Sequence, residues 1–262
     1  MDRTLWLQRM RETTTAMYDL WSSVFFFGTD EDAANSRVEA HVRYLEEFLR
    51  RIPARSTVLT AGCGEGRYDG MLLDSGHSVV GIDVSEGLIS HARKLYPAIR
   101  YEKMALNEMS FENEFEGAIC IEALEHVFPE EWPVILHGFH EALKPGGVLY
   151  FTLDTVSEEE LKRSYERAMA QGLPVVFGEV AEEVEVASAK LIAAGCDVPP
   201  EVADRSVYHY YPGLEQVKNW LDQTQFDIET QGTATYSWGT DNAYEATYEH
   251  YVVRKRSKAE TA

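Results

Sequence analysis

The feature that most constrains the fold is a series of short apolar runs separated by segments of helical length. Runs that are apolar throughout are typical of parallel strands covered on both faces, and the intervening segments are long enough for right-handed crossover helices. The pattern therefore predicts a doubly wound α/β sheet. The predicted strands are "TVLTA" from position 57, "SVVGID" from 78, "IRYEK" from 99, "GAICI" from 117 and "VLYFTLD" from 148.

Two amphipathic helices are predicted before the first strand. The first has apolar residues at helical spacing and is expected to end near Gly28. Ser36, with Glu39 three residues later, has the spacing of a capping box and predicts the start of the second helix, which ends before Pro53. The apolar residues of the first helix are Met17, Leu20, Trp21, Val24 and Phe25.

The segment after the fifth strand interrupts the alternation. Ser157 and Glu160 predict a capped helix there, and a second acidic helical stretch ends near Gly195. Farther on, "GLEQVKNWLDQT" predicts a helix, and "FDIETQ" and "YEHYVVRK" predict a closing pair of strands. The expected organisation is an N-terminal helical lid (1–54), an α/β core (55–154), an inserted helical cap over an acceptor pocket (155–207) and a final helix and strands that complete the core (208–262).

Charge and composition exclude several classes of function. The chain of 262 residues has 24 basic and 44 acidic residues, and its net charge of −20 would repel a nucleic acid. No apolar run approaches the roughly 18 residues of a membrane helix and no leader peptide is evident, so we expect a soluble, cytoplasmic protein that binds no membrane. Three widely spaced cysteines, Cys63, Cys120 and Cys196, indicate neither a disulfide framework nor a structural zinc site.

A glycine-rich turn, "VLTAGCGEGRY" at 58–68, follows the first predicted strand. Glycines let the backbone approach a ligand without interference from Cβ atoms. A dinucleotide fingerprint starting at Gly62 would need a small residue at position 67, which is Arg67, and no Gly-Lys-Ser/Thr follows to make a P-loop. Asp83 ends the second strand about 20 residues beyond the turn, where a carboxylate can bind ribose hydroxyls. The turn therefore predicts a ribose-bearing ligand that needs no pyrophosphate cradle.

Four motifs in order resemble those of the class I S-adenosylmethionine-dependent methyltransferases: "VLTAGCGEGRY", "VVGIDVSEGLISHARK", "GAICIEALEHV" and "ALKPGGVLYFTLD". The similarity covers roughly residues 55–155 and is greatest to the small-molecule branch of ubiquinone- and menaquinone-type methyltransferases. It implies a Rossmann-like seven-stranded sheet with the last strand antiparallel, S-adenosylmethionine as cofactor, and methyl transfer to oxygen or nitrogen of a small, cyclic or aromatic acceptor. An NAD-dependent oxidoreductase, against which Arg67 argues, and a non-catalytic cofactor-binding module are the alternatives.

The resemblance also implies the residues that bind the cofactor. The methionine part lies at Gly62 to Gly66, the ribose on Asp83, and the adenine between Val84 and Leu106. Many relatives have an aspartate where this chain has Ala105, so Asn107 or Glu108, or backbone and apolar contacts alone, would hold the adenine. Tyr18, in "MYDLW", matches a tyrosine that closes over the cofactor. The implied set is Tyr18, Ala61, Gly62, Cys63, Gly64, Gly66, Asp83, Val84, Ala105, Leu106, Ile121 and Glu122.

Three residues are candidate general bases. His126, in "IEALEHV" after the fourth strand, is the first, because a neutral imidazole can take a proton from an acceptor; the alternative is that it packs against the following segment. His209, in "VYHYYP", is the second, and Asp154, at the end of the fifth strand, is the third. Tyr208 and Tyr210 either lean over the acceptor or form a buried aromatic strand.

No metal site is expected. Glu122, Glu125 and His126 have spacings that mimic a metal pair but lack a convincing third ligand, and the two glutamates instead orient His126 or face the sulfonium. His137 and His140 lie one helical turn apart on an outer, solvated helix face. The expected partner is a small-molecule acceptor, and a homodimer is the assembly to test for.

Overall fold

The computed structural model describes residues 2–23, 28–183, 206–238 and 244–257. Its strands and helices alternate through the centre of the chain, as the sequence predicts. The strands are β1 Thr57–Ala61, β2 Ser78–Asp83, β3 Arg100–Lys103, β4 Phe115–Cys120, β5 Leu143–Thr155, β6 Glu179–Glu183, β7 Ser206–Tyr210, β8 Phe226–Trp238 and β9 Tyr244–Lys255. The helices are α1 Arg3–Trp21, α2 Asp30–Asn35, α3 Glu39–Leu49, α4 Asp69–Asp74, α5 Glu86–Leu95, α6 Trp132–Ala142, α7 Glu158–Ala170 and α8 Leu214–Gln223, with 3₁₀ turns at Leu106–Glu108 and Leu124–His126.

Seven strands form one mixed sheet in the order β3-β2-β1-β4-β5-β9-β8. β1 to β5 are parallel to one another, whereas β9 is antiparallel to both β5 and β8. The predicted seven-stranded Rossmann-like sheet with an antiparallel last strand is confirmed. The strand order reverses between β1 and β4, and in open α/β sheets ligands bind at the carboxyl ends of the strands beside such a point.

Both faces of the sheet are covered, which explains the uninterrupted apolar strands. Along β5, Val148 and Tyr150 pack in a cluster with α3, α4 and α5, whereas Leu149 and Phe151 pack in a second cluster with α6 and α8. Successive side chains on a strand point to opposite faces, so a strand between two helical layers must be apolar at every position. The helices thus cover the two faces of the sheet and leave the carboxyl ends of its strands open for a site.

The first helix is shorter at its end than predicted. α1 ends at Trp21 rather than near Gly28, and Val24 and Phe25 lie outside the described residues. Its buried side chains begin earlier, at Trp6 and Met10, because α1 packs against β7 and α5.

The predicted capping box at Ser36 is wrong. Ser36 ends α2, and its hydroxyl donates to the backbone of that helix. The reciprocal cap belongs instead to Thr29 and Asp32 at the start of α2, a helix too short to give a periodic signal. α3 begins at Glu39 without a side-chain cap and is held by the burial of its apolar face.

The segment between β5 and α8 contains a strand pair as well as a helix. Ser157 caps α7 by accepting from the Glu160 amide, as predicted, and β6 pairs antiparallel with β7. The predicted second acidic helix, ending near Gly195, and Cys196 lie outside the described residues. Tyr208 and Tyr210 are buried in β7, which confirms the alternative of an aromatic strand for these two residues.

The closing strands are longer than predicted. β8 continues beyond "FDIETQ" to Trp238, and β9 begins at Tyr244, before "YEHYVVRK". The extra length carries the ends of both strands to the carboxyl edge of the sheet, as the pairing of β9 with the end of β5 shows. Among the described residues, no helix has the length and apolar character needed to cross a membrane.

Candidate functional site

A cavity of about 1350 Å³ opens at the carboxyl ends of β1, β2, β4 and β5, beside α1. Its wall includes most of the residues named from the sequence, brought together from positions that are far apart in the chain. Those lining it are Tyr18, Ala61, Gly62, Cys63, Gly64, Asp83, Val84, Ala105, Leu106, Ile121, Glu122, His126, Asp154 and His209. The cavity therefore joins the predicted cofactor residues to the predicted catalytic ones.

The glycine turn after β1 requires its glycines for different reasons. Gly62, Gly64 and Gly66 have positive φ angles of 67°, 54° and 85°, which side chains rarely adopt. A Cβ at Gly62 would lie 2.5 Å from the Cβ of Ala123, whereas one at Gly64 would meet no atom within 4 Å. Gly64 thus presents bare backbone to the cavity. Gly66 does not line the cavity; its amide donates to the Cys63 carbonyl, and a Cβ there would lie 3.1 Å from Asp69 and Tyr96.

Asp83 connects the glycine turn to the start of α5. One carboxylate oxygen accepts from the Gly64 amide and the other from the Ser85 amide, both at 2.9 Å. Burial raises the pKa of Asp83, although these amides oppose the shift. Each carboxylate oxygen has a second lone pair, so Asp83 can still accept hydrogen bonds from two ligand hydroxyls.

The slot beyond Asp83 is largely apolar. Val84 and Leu106 line it, as the resemblance implies. Ala105 begins the 3₁₀ turn, and its amide donates to the Glu108 carboxylate at 3.1 Å. The Asn107 amide group donates to Glu131 at 2.6 Å. Both polar substitutes for the missing aspartate therefore already have protein partners, which favours apolar and backbone contacts to a base.

The end of α1 forms the opposite wall of the cavity. Tyr18 and Trp21 line it with their rings 6.0 Å apart, and Trp21 is half-buried on this wall. Asp19, which the sequence did not indicate, accepts hydrogen bonds from the Ser85 hydroxyl and the Gly87 amide. α1 is thus tied directly to the strand end that carries Asp83.

Hydrogen bonds fix the tautomer of His126. Its Nδ1 lies 3.0 Å from the Tyr208 carbonyl oxygen, which can only accept, so Nδ1 carries the proton. Nε2 therefore has a lone pair and accepts from the Tyr18 hydroxyl at 2.6 Å. Burial lowers the pKa of His126, so the ring is neutral at pH 7. The His126 ring thus packs against β7, and its basic Nε2 is linked to the cavity by the hydrogen bond from Tyr18.

His209 lies against His126, with ring centroids 4.8 Å apart. Burial, together with the neighbouring His126, lowers the pKa of His209 to about 3. Its Nδ1 is buried and has no hydrogen-bond partner among the described residues. A ring with so low a pKa is a weak base, and it suits hydrogen bonding better than proton abstraction.

Glu122 does not face the glycine turn as a free carboxylate. One oxygen accepts from Arg67 at 2.6 Å and the other from the Tyr236 hydroxyl at 2.8 Å. Burial opposes ionisation, but Arg67 and hydrogen bonds from Tyr236 and Tyr248 together lower the pKa of Glu122. Its positive φ of 53° allows its amide to donate to Thr152 at 2.8 Å. Glu122 therefore organises the half of the cavity that lies beside β8.

Tyr236 and Tyr248 also escape prediction from the sequence. Their rings stack at 5.7 Å; Tyr236 lies on the part of β8 beyond "FDIETQ", whereas Tyr248 is the first residue of the predicted strand "YEHYVVRK". The run of threonine, tyrosine and tryptophan at 233–238 is rich in residues that favour strands, and it could have extended the prediction.

Two more carboxylates lie in this half of the cavity. Asp154, near the end of β5, lines the wall, as does Glu125 in the 3₁₀ turn. Burial, with the nearby charges of Glu122 and Asp154, raises the pKa of Glu125 well above its usual value. The one group of three clustered metal-ligating side chains among the described residues is His137, His140 and Glu141 on α6, and none of them lines the cavity.

The residues present fit S-adenosylmethionine. Gly64 leaves room for a ligand to approach the backbone, Asp83 has free acceptor capacity for a ribose, and Val84 and Leu106 form an apolar slot. The turn after β1 lacks the small third residue of a dinucleotide site, and Arg67 is instead paired with Glu122.

Comparisons with known proteins agree with this geometry. Residues 58–147 match the family described as a methyltransferase domain. The chain is 30% identical over 114 residues to the ubiquinone biosynthesis O-methyltransferase of Hydrogenovibrio crunogenus, a match that covers 40% of this chain and 46% of that relative. The chain thus matches less than half the length of this curated relative.

Solved structures share the fold over more of the chain. A crystal structure of a SAM-dependent methyltransferase from Methanosarcina mazei has a TM-score of 0.61 at 18% identity and covers 80% of this chain and 96% of its own. The 1,6-didemethyltoxoflavin-N1-methyltransferase of Burkholderia thailandensis, solved with 1,6-didemethyltoxoflavin and S-adenosylhomocysteine, has a TM-score of 0.60 at 16% identity and covers 98% of this chain and 92% of its own.

Proposed function

We propose that this chain is a class I S-adenosylmethionine-dependent methyltransferase that methylates oxygen or nitrogen of a small, cyclic or aromatic metabolite. The observation that carries the proposal is the continuity of one cavity from the Gly64 and Asp83 end to the Tyr236 and Tyr248 rings. Flat rings with polar tips suit a flat acceptor. The Burkholderia structure with 1,6-didemethyltoxoflavin and S-adenosylhomocysteine supports a small-molecule acceptor.

The bound cofactor would supply an electrophilic methyl group. Gly62 and Gly64 would hold its amino-acid end, and Asp83 would accept from its ribose. Val84 and Leu106 would enclose the base. Tyr18 and the rest of α1 would close this wall and exclude water. The closed wall would also hold the acceptor in line with the methyl group.

We assign proton removal to His126 acting through Tyr18. An acceptor hydroxyl that donates to the Tyr18 oxygen would pass its proton there as the Tyr18 proton moves to His126 Nε2. This needs the Nδ1-protonated tautomer that the Tyr208 carbonyl holds. His209 and Asp154 would position the acceptor and remain secondary candidates for the base.

The N-terminal segment 1–54 and the inserted segment 155–207 would act as lid and cap. Arg3 on α1 donates to Glu179 on β6 through two hydrogen bonds of 2.8 and 2.9 Å, so the two segments are held together beside the cavity. A homodimer stays a prediction that measurement of the mass in solution would check.

Loss of the Asp83 carboxylate tests the proposed cofactor site. We expect Asp83→Ala to weaken S-adenosylhomocysteine binding by about tenfold or more, or about 1.4 kcal/mol, in isothermal titration calorimetry. Asp74→Ala, which removes an exposed carboxylate at the end of α4, is the matched control and should bind normally. Unchanged affinity of the Asp83 variant, or preferential binding of NAD by the unaltered protein, would refute the assignment.

A further inference from the structure

The charge of the cavity wall is strongly unbalanced. Among the described residues that line it, acidic side chains outnumber basic ones, and the basic ones are Arg11, Arg37 and Arg67. Arg11 pairs with Glu131, Arg37 lies 3.8 Å from Asp30, and Arg67 pairs with Glu122. These ion pairs leave no arginine of the described wall to neutralise Glu125.

Glu125 is the least compensated of these acidic groups. The residue is only 6% exposed, and its Oε2 is buried without a hydrogen-bond partner among the described residues. Burial of a carboxylate without a donor costs several kcal/mol, so buried carboxylates are normally paired. The folded chain therefore buries the Glu125 Oε2 at a cost in free energy, and a ligand N–H that donates to this oxygen would reduce the cost.

The surroundings of Glu125 favour a cation over a neutral or anionic group. Asp154 and Glu122 are close enough to raise the energy of its ionised form. The rings of Tyr18, Tyr236 and Tyr248 line the same cavity, and aromatic faces attract cations. The net charge of −20 would also attract cations toward the protein.

We propose that the acceptor carries a basic nitrogen, and that the unpartnered Oε2 of Glu125 receives an N–H of this group between the tyrosines and Asp154. The inference rests on the proposed methyltransferase function and narrows its acceptor to ring-bearing amines. Glu125 is the residue that distinguishes an amine from an alcohol or acid of the same shape. The methylated atom is either this nitrogen or another nucleophile on the same molecule.

Matched ligands test the preference for an amine directly. Two sets share a ring and differ in one group: tyramine, tyrosol and 4-hydroxyphenylacetate, and tryptamine, tryptophol and indole-3-acetate. Each is titrated into the protein saturated with S-adenosylhomocysteine. In at least one set we expect the amine to bind about tenfold or more tightly than its alcohol and acid.

Variants assign the preference to one side chain. Glu125→Gln should reduce the advantage of the amine to about threefold or less while S-adenosylhomocysteine binds normally, which also shows that the variant is folded. Glu46→Gln, which alters an exposed carboxylate on α3, should keep the full preference. Should Glu125→Gln not fold, Asp154→Asn is expected to produce a smaller loss of the same preference.

The possible failures are distinguishable. If S-adenosylhomocysteine does not bind to the unaltered protein, the proposed function itself fails. If it binds but no amine exceeds its alcohol and acid, or if Glu125→Gln keeps the preference, only the inference about the amine is overturned.

Discussion

Tyr18 and His126 show how two residues 108 positions apart make one chemical unit. We expect His126→Gln to slow methyl transfer about 100-fold, because glutamine cannot take the proton that reaches Tyr18. S-adenosylhomocysteine affinity should stay within about threefold, since His126 Nε2 faces Tyr18 and not Asp83. Single-turnover transfer of a labelled methyl group to an acceptor found by library screening measures the first quantity, and calorimetry the second.

His137→Gln is the control, because His137 is exposed on α6 and lines no part of the cavity. A fully active His126 variant would remove this residue from the mechanism and leave His209 or Asp154 as the base. The sequence could indicate Gly62, Gly64 and Asp83 because their roles depend on local backbone geometry. It could not indicate Tyr236 and Tyr248, because only the pairing of the last strands brings them to Glu122.

At the scale of elements, a buried ion pair joins the first helix to the inserted strand pair. Arg3 on α1 meets Glu179 on β6, whose side chain is fully buried and also accepts from the Tyr208 hydroxyl. Removal of one partner leaves a buried charge uncompensated. We expect Arg3→Met to lower the free energy of unfolding by about 3 kcal/mol in urea titration.

The double variant Arg3→Met with Glu179→Gln should lose less than the sum of the single losses, by about 1 kcal/mol or more. Arg163→Met breaks an exposed pair on α7 and should cost less than about 1 kcal/mol. Additive losses at Arg3 and Glu179 would contradict a direct coupling. The central strands β1, β2, β4 and β5 could be predicted because each contains a short apolar run, whereas the pairing of β6 with β7 is non-local and has no such signature.

At the scale of the whole molecule, buried histidines link stability to pH. Burial lowers the pKa of His41 to about 4 and that of His250 to about 3, from a usual value of 6.5. The unfolded chain therefore takes up protons below pH 6.5 that the folded chain does not, and the free energy of unfolding falls as the pH drops from 6.5 toward 4. For His41 the loss between pH 8 and pH 5 is about 2 kcal/mol.

Asp69 has the opposite effect, since burial raises its pKa to about 6 and favours the folded state on acidification. The contribution of His41 is therefore measured as the difference between the unaltered protein and His41→Asn across pH 5 to 8. That difference should shrink as the pH falls. A constant difference for His41→Asn would show that its ring is protonated alike in both states.

The contact between Gly62 and Ala123 has a consequence for how this protein can change over time. A Cβ added at Gly62, in the turn after β1, would lie only 2.5 Å from the Cβ of Ala123, in the turn after β4. The two turns therefore leave room for one methyl group and not for two. A lineage can therefore add a side chain at Gly62 only if the turn that carries Ala123 shifts with it. The turn that we propose binds the methyl donor and the turn that we propose faces the acceptor are therefore expected to diverge together.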